Sequence, residues 1–81
     1  MLIYNVLEIK NKEYKITPFI VFDEQLEEVV KEECLVFFND CLKERGSRFP
    51  VTEENAFNGY FHRDFESGSH YMLKIIKSYF D

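Results

Sequence analysis

His70-Tyr71-Met72-Leu73-Lys74-Ile75-Ile76-Lys77-Ser78-Tyr79-Phe80 admits two readings, and the choice between them decides the fold. On a helix, His70, Lys74, Lys77, Ser78 and Asp81 stand at i, i+4, i+7, i+8 and i+11 and make one polar face. On a strand, Lys74 and Ser78 share a face with Met72, Ile76 and Phe80, while Lys77 falls on the other. The regular polar face favours the helix. The strand is the alternative, and it would give an N-terminal hairpin the third strand that an isolated pair needs for stability.

Upstream, Ser67-Gly68-Ser69 supplies a stop, a reversal and a fresh N-cap. Thr52 is placed to cap a second helix in which Ala56, Phe57, Tyr60, Phe61 and Phe65 alternate with Glu53, Asn55, Asn58, His62, Arg63 and Glu66. Gly59 weakens that helix by about 1 kcal/mol relative to Ala. A longer helix is expected from Asp23 to about Arg45, with Asp23 as N-cap and Gly46 as C-terminal stop. Its apolar side is read as Leu26, Val29, Val30, Cys34, Phe37, Phe38 and Cys41.

Residues 2–9 and 14–22 are rich in Ile, Val, Leu, Tyr and Phe and flank Lys10-Asn11-Lys12-Glu13, which reads as a β-hairpin. Asn11 can take φ > 0 in its turn, and Pro18 places the second strand at an edge. The expected fold is therefore α+β over one domain, residues 1–81: an N-terminal β-hairpin, one long acidic helix, then two shorter C-terminal helices. The alternative makes the last segment a third strand.

The net charge is −5, and its position matters more than its total. Residues 23–33 hold Asp23, Glu24, Glu27, Glu28, Glu32 and Glu33 against the single base Lys31, and the remainder of the chain balances. Acids in the first turns of a helix complement its dipole, which accounts for the cluster without any partner. The sharper reading is an acidic surface for a basic partner. Glu24, Glu27, Glu28 and Glu32 are expected on one wet side of the helix, opposite Leu26, Val30 and Phe37, so that charge reversal at Glu24, Glu27 and Glu28 would spare the fold.

Catalytic constellations fail on spacing. Cys34 and Cys41 share a helix face about 10 Å apart along the axis, too far to bond to each other or to share one tetrahedral zinc. They read as buried core thiols. Gly46, Gly59 and Gly68 are isolated, so no phosphate-cradling loop forms. The paired carboxylates lie on an open face where nothing desolvates one of them for general-acid work. The expectation is no enzyme, no metal and no cofactor.

Fourteen aromatic residues are more than a small core needs, and some should form a contact surface. Tyr60, Phe61 and Arg63 are the candidates, whether for a protein or, as a third reading, for stacking on single-stranded nucleic acid. The missing basic groove makes nucleic acid the weaker partner. No apolar run is long enough to span a bilayer as a helix, and Met1-Leu2-Ile3-Tyr4-Asn5 lacks the marks of a cleaved signal, so the expected location is cytoplasmic. A homodimer or stable complex is expected from the open hairpin edges and the aromatic load.

Leu7-Glu8-Ile9-Lys10-Asn11-Lys12-Glu13-Tyr14-Lys15-Ile16, followed by an aromatic strand and Leu26-Glu27-Glu28, loosely resembles the start of phage tail-assembly chaperone proteins, which implies a hairpin followed by a helix. In size, acidity and lack of catalytic motifs the chain is also similar in type to the small inhibitors that phages and mobile elements encode, anti-CRISPR proteins among them. The leading expectation is a non-enzymatic inhibitor or regulator that blocks a larger basic protein, such as a nucleic-acid-binding protein. A self-associating assembly factor of the tail-chaperone kind is the alternative.

Overall fold

The computed structural model describes residues 1–47, 49–64 and 68–80, leaving aside the side chains of Tyr60, Arg63 and Asp64. Strands β1 (Leu2–Lys10) and β2 (Glu13–Val21) form the N-terminal hairpin. A single 3-10 turn, Glu24–Leu26, leads into helix α1 (Glu27–Glu44), followed by the short helix α2 (Glu53–Asn58). Strands β3 (Tyr60–Asp64) and β4 (His70–Tyr79) complete one antiparallel sheet in the order β2-β1-β4-β3.

The C-terminal part thus overturns the expected pair of short helices. The second helix stops at Asn58, because Gly59 is fully extended at φ −136°, ψ −162° and turns the chain into β3. A Cβ on Gly59 would stand 3.1 Å from the Asn55 carbonyl oxygen, so this abrupt helix-to-strand exit leaves little room for a side chain. His70–Tyr79 is a strand, and a central one: it pairs with β1 along its whole length, Leu2 opposite Tyr79 through Lys10 opposite Tyr71. That long-range pairing outweighs the helical spacing of the polar residues, whose side chains divide between the two faces. Phe65, Glu66, Ser67 and Asp81, expected in the C-terminal helices and their joint, and Arg48 lie outside the described residues.

Elsewhere the local signals act as their chemistry requires. Asn11 takes φ 58° in the hairpin turn, and its amide oxygen accepts from the His70 N–H at 3.0 Å, which ties the turn to β4. Asp23 caps the 3-10 turn by accepting from the Gln25 N–H, and Thr52 caps α2 by accepting from that of Asn55. Gly46, at φ 90°, ends α1 in a Schellman motif: the Ser47 N–H returns to the Leu42 carbonyl and the Gly46 N–H to that of Lys43. Asn39 then clamps the following loop, accepting from the Val51 N–H and donating to its carbonyl.

Both helices lie on one face of the sheet. The core between the layers comprises Tyr4, Val6 and Val21 of the hairpin, Tyr71, Leu73 and Ile75 of β4, and Cys34, Phe38, Cys41 and Leu42 of α1, with Ala56 of α2. Register explains the selection, since Tyr4, Val6 and Glu8 stand opposite Lys77, Ile75 and Leu73 and so share their face. The alternate residues, Ile3, Leu7 and Ile9 among them, point to the other side.

Cys34 and Cys41 are buried and unbonded, and loss of solvation pushes their thiols up to about 12 and about 11 respectively. A bulky thiol reagent should therefore modify neither at neutral pH in the native protein, and both in denaturant. Prompt native labelling of either, followed by absorbance, would contradict this packing.

Candidate interaction surface on the first helix

The orientation of α1 differs from the expected one in a way that remakes its surface. At 3.6 residues per turn the buried line runs through Val30, Cys34, Phe38 and Cys41, whereas Leu26 and Val29 are more than half exposed. Val29 and Val36 lie along the middle of the solvent face, with Glu28 and Glu32 on one flank and Glu33 and Asp40 on the other. Phe22 is 77% exposed just before the helix. The result is a ridge of apolar side chains bordered by carboxylates, the arrangement of an interface with an apolar centre and a polar rim.

Lys31 leaves this surface acidic. Its ammonium turns toward α2, 3.0 Å from a Glu53 carboxylate oxygen and 5.1 Å from the centre of the Phe57 ring, and the hydrogen bond to Glu53 raises its proton affinity above the ordinary lysine range. The single base of the acidic segment is thereby engaged in joining the two helices.

The four glutamates expected to form one stripe do different things. Glu24, Glu28 and Glu32 are exposed. Glu27 stands on the inner side of α1, half-buried, and accepts a 2.7 Å hydrogen bond from the Tyr4 hydroxyl of β1. Reversal of its charge would strike the contact between α1 and the sheet, so Glu27 does not belong with residues that can be reversed freely. Burial, with that hydrogen bond second, raises the Tyr4 phenol well above its usual range.

An open cleft of about 780 Å³ lies beside this start of the helix, with Phe22, Glu24 and Glu27 on one side and Lys77 and Tyr79 on the other. Lys77 approaches the faces of Tyr4 and Tyr79, at 5.8 and 5.3 Å from their ring centres. The cleft therefore joins two carboxylates to aromatic walls, with one lysine at its far margin.

The aromatic candidates fall on β3 rather than on a helix. Phe61 is half-buried, packs against the core and meets Tyr71 edge-on with centroids 6.3 Å apart. Register pairs Tyr60 with Lys74 and Arg63 with Tyr71, and the side chains of Tyr60 and Arg63 lie outside what the structure describes. The exposed apolar residues on α1 escaped the sequence reading. The signal was present: Val29, Glu33, Val36 and Asp40 recur at i, i+4, i+7 and i+11, and a stripe carrying two acids faces water.

At the opposite end of α1, Arg45 reaches Glu8 of β1 at 3.7 Å and lies 4.7 Å from the centre of the Tyr71 ring, while the Tyr71 hydroxyl donates to Glu8 at 3.2 Å. This group closes the helix onto the sheet and balances the half-buried Glu8 carboxylate. Among the described residues no cluster of three or more His, Cys, Asp or Glu is arranged to hold a metal ion, and no helix is long and apolar enough to cross a membrane. Comparison with protein-family models, curated proteins and solved structures finds no match.

Proposed function

We propose that this protein is a non-enzymatic inhibitor or regulator that binds a larger protein with a basic surface through the solvent face of α1. The observation that carries the reading is the exposed line of Val29 and Val36 between two rows of carboxylates, with exposed Phe22 and Glu24 just before the helix beside a separate cleft. Apolar side chains at the centre supply affinity when water leaves, and the surrounding carboxylates raise the association rate and favour lysine and arginine on the partner. A partner side chain of that kind would find carboxylates and aromatic walls together in the cleft. Origin in a phage or mobile element belongs to the proposal as a resemblance of type.

The test replaces Glu24, Glu28 and Glu32 by lysine and leaves Glu27 intact. Exposed acids contribute little to folding, so the melting temperature should stay within roughly 3 °C of wild type. Proteins retained from a cell lysate by the immobilised wild type at low salt should be retained at least tenfold less by the variant, with the difference shrinking as salt is added. Equal retention of every captured protein would reduce the acidic face to a solvated helix surface.

A further inference from the structure

Among the described residues the helices lie on one side of the sheet, and its other side carries large apolar residues on three adjacent strands. There Ile3 and Leu7 of β1 stand opposite Ile20 and Ile16 of β2, Ile9 follows on the same face of β1, and Ile76 of β4 stands opposite Asn5 between them. None of these six belongs to the core cluster or to the side chains packed against it. Ile16 and Ile76 are 53% and 40% exposed, and the others are half-buried. We propose that this outer face is a homodimer interface in which two copies of the chain stack sheet on sheet about a two-fold axis.

The area suits a second copy. Strands about 4.8 Å apart and nine residues long make a face of roughly 15–20 by 30 Å, about 500 Å² in projection and more once side-chain relief is counted. That approaches the roughly 800 Å² each partner contributes to a standard interface, and it is as large as the largest apolar patch of an ordinary monomer.

The amide at the middle of the face has its donors satisfied inside the sheet. Asn5, in the middle of β1, donates to the Ser78 hydroxyl at 3.0 Å and to the Ile76 carbonyl at 3.3 Å, so its amide N–H groups are satisfied within the sheet itself. Lys74 stands on the same face between Leu7 of β1 and Tyr60 of β3, so its ammonium must reach water along its own stem when the face is covered.

Charge points to a copy of this chain as the occupant. The exposed acids Glu28, Glu32 and Glu33 lie on the helical layer, so face-to-face stacking places the two acidic layers outermost. With about 10 Å between stacked sheets and a further helix layer on each side, they stand well beyond the Debye length of about 8 Å at physiological salt. Two chains of net charge −5 can then pair through a face whose described side chains include no carboxylate. An anionic lipid surface would lack that neutrality, since the whole molecule carries its sign.

The ladder favours the face over the open edge of the hairpin. The Asn11 N–H bonds to the His70 carbonyl and the Phe80 N–H to that of Met1, which assigns the odd-numbered residues of β1 to β4 and the even-numbered ones to β2. Pro18, opposite Asn5, therefore directs its donorless nitrogen to the free edge of β2 and interrupts it between Ile16 and Ile20.

Sedimentation equilibrium of the wild type and of an Ile16→Lys/Ile76→Lys variant tests the interface. The wild type should sediment at twice the chain mass, with a melting temperature that rises with concentration. Both substituted positions are exposed in the single chain, so the variant should keep the circular dichroism of the fold. It should weaken the dimer by roughly 100-fold or more, because two lysines on each copy would have to be desolvated. Ile16→Thr/Ile76→Thr, which keeps β-branched side chains, should fold in any case and dissociate about tenfold more readily. Lysine substitution at Glu24, Glu28 and Glu32 should leave the mass unchanged. A wild type of single-chain mass at high micromolar concentration overturns the proposal. So does a dimer that survives both pairs of substitutions, since it would be held elsewhere.

Discussion

Phe38→Ala should remove most of the stability of this protein. Phe38 is 1% exposed on the inner line of α1, in the one core that lies between helices and sheet. Deleting a buried phenyl ring costs about 3–5 kcal/mol, the lost transfer energy being joined by that of the cavity left behind. A chain of this length has roughly 4–12 kcal/mol in total, so the variant should be partly or wholly unfolded at 37 °C. Among the described residues both helices and all four strands contribute to this one core, β3 through the partly buried Phe61, so none is left to hold a remnant. Val36→Ala, two residues away on the wet face, is the control and should shift the urea midpoint hardly at all, because its side chain is 56% exposed. A Phe38→Ala variant with the wild-type midpoint would mean that α1 does not pack on the sheet as described.

The same pair shows what a sequence can and cannot reveal. Local chemistry was legible: Asn11 at the turn, Asp23 and Thr52 as caps, Gly46 as a stop and Pro18 at an edge all depend on neighbours a few residues away. The identity of residues 70–79 was not, because their spacing satisfies a helix and a strand nearly equally. The decision belongs to β1, some seventy positions distant, whose backbone groups on the edge away from β2 are paired by β4. Tyr60 and Phe61 were misplaced for a related reason: helical periodicity continues past Gly59, while the backbone there does not. On the surface, Glu24, Glu28 and Glu32 could be assigned to water from charge alone. Glu27 could not, because its role is set by the Tyr4 hydroxyl on the opposite layer. The apolar outer face likewise emerges only when strands from both ends of the chain are placed side by side.

Raising the pH above about 9 should unfold the protein progressively, through groups that the core holds neutral. Burial lifts the Cys34 thiol from 9.0 to about 12 and the Cys41 thiol to about 11, with Glu8, Glu44 and Asp40 adding to the second by charge repulsion. Tyr4 and Tyr71 are likewise raised above 10.0, chiefly by burial. The Glu27 carboxylate adds to this at Tyr4, and Glu8 does so at Tyr71, where a hydrogen bond from Arg45 works the other way. In each case the folded chain keeps a proton that the unfolded chain releases, so the native state binds more protons and its stability falls as pH rises. The contribution is complete below the unfolded thiol value near 9, and it declines through 11 and 12 as the folded thiols approach their own values. Tyrosines join from about pH 10. Loss of the Lys31 proton, and with it the link to Glu53, acts in the same direction. The urea midpoint, read by circular dichroism, should be flat from pH 7 to about 8.5 and then fall steeply. Cys34→Ala/Cys41→Ala should be less stable at neutral pH, but its midpoint should hold until about pH 10, where the phenols begin to titrate in the unfolded chain. A wild-type midpoint unchanged to pH 11, or an onset that does not move when both thiols are removed, would show that these side chains are not buried in the core.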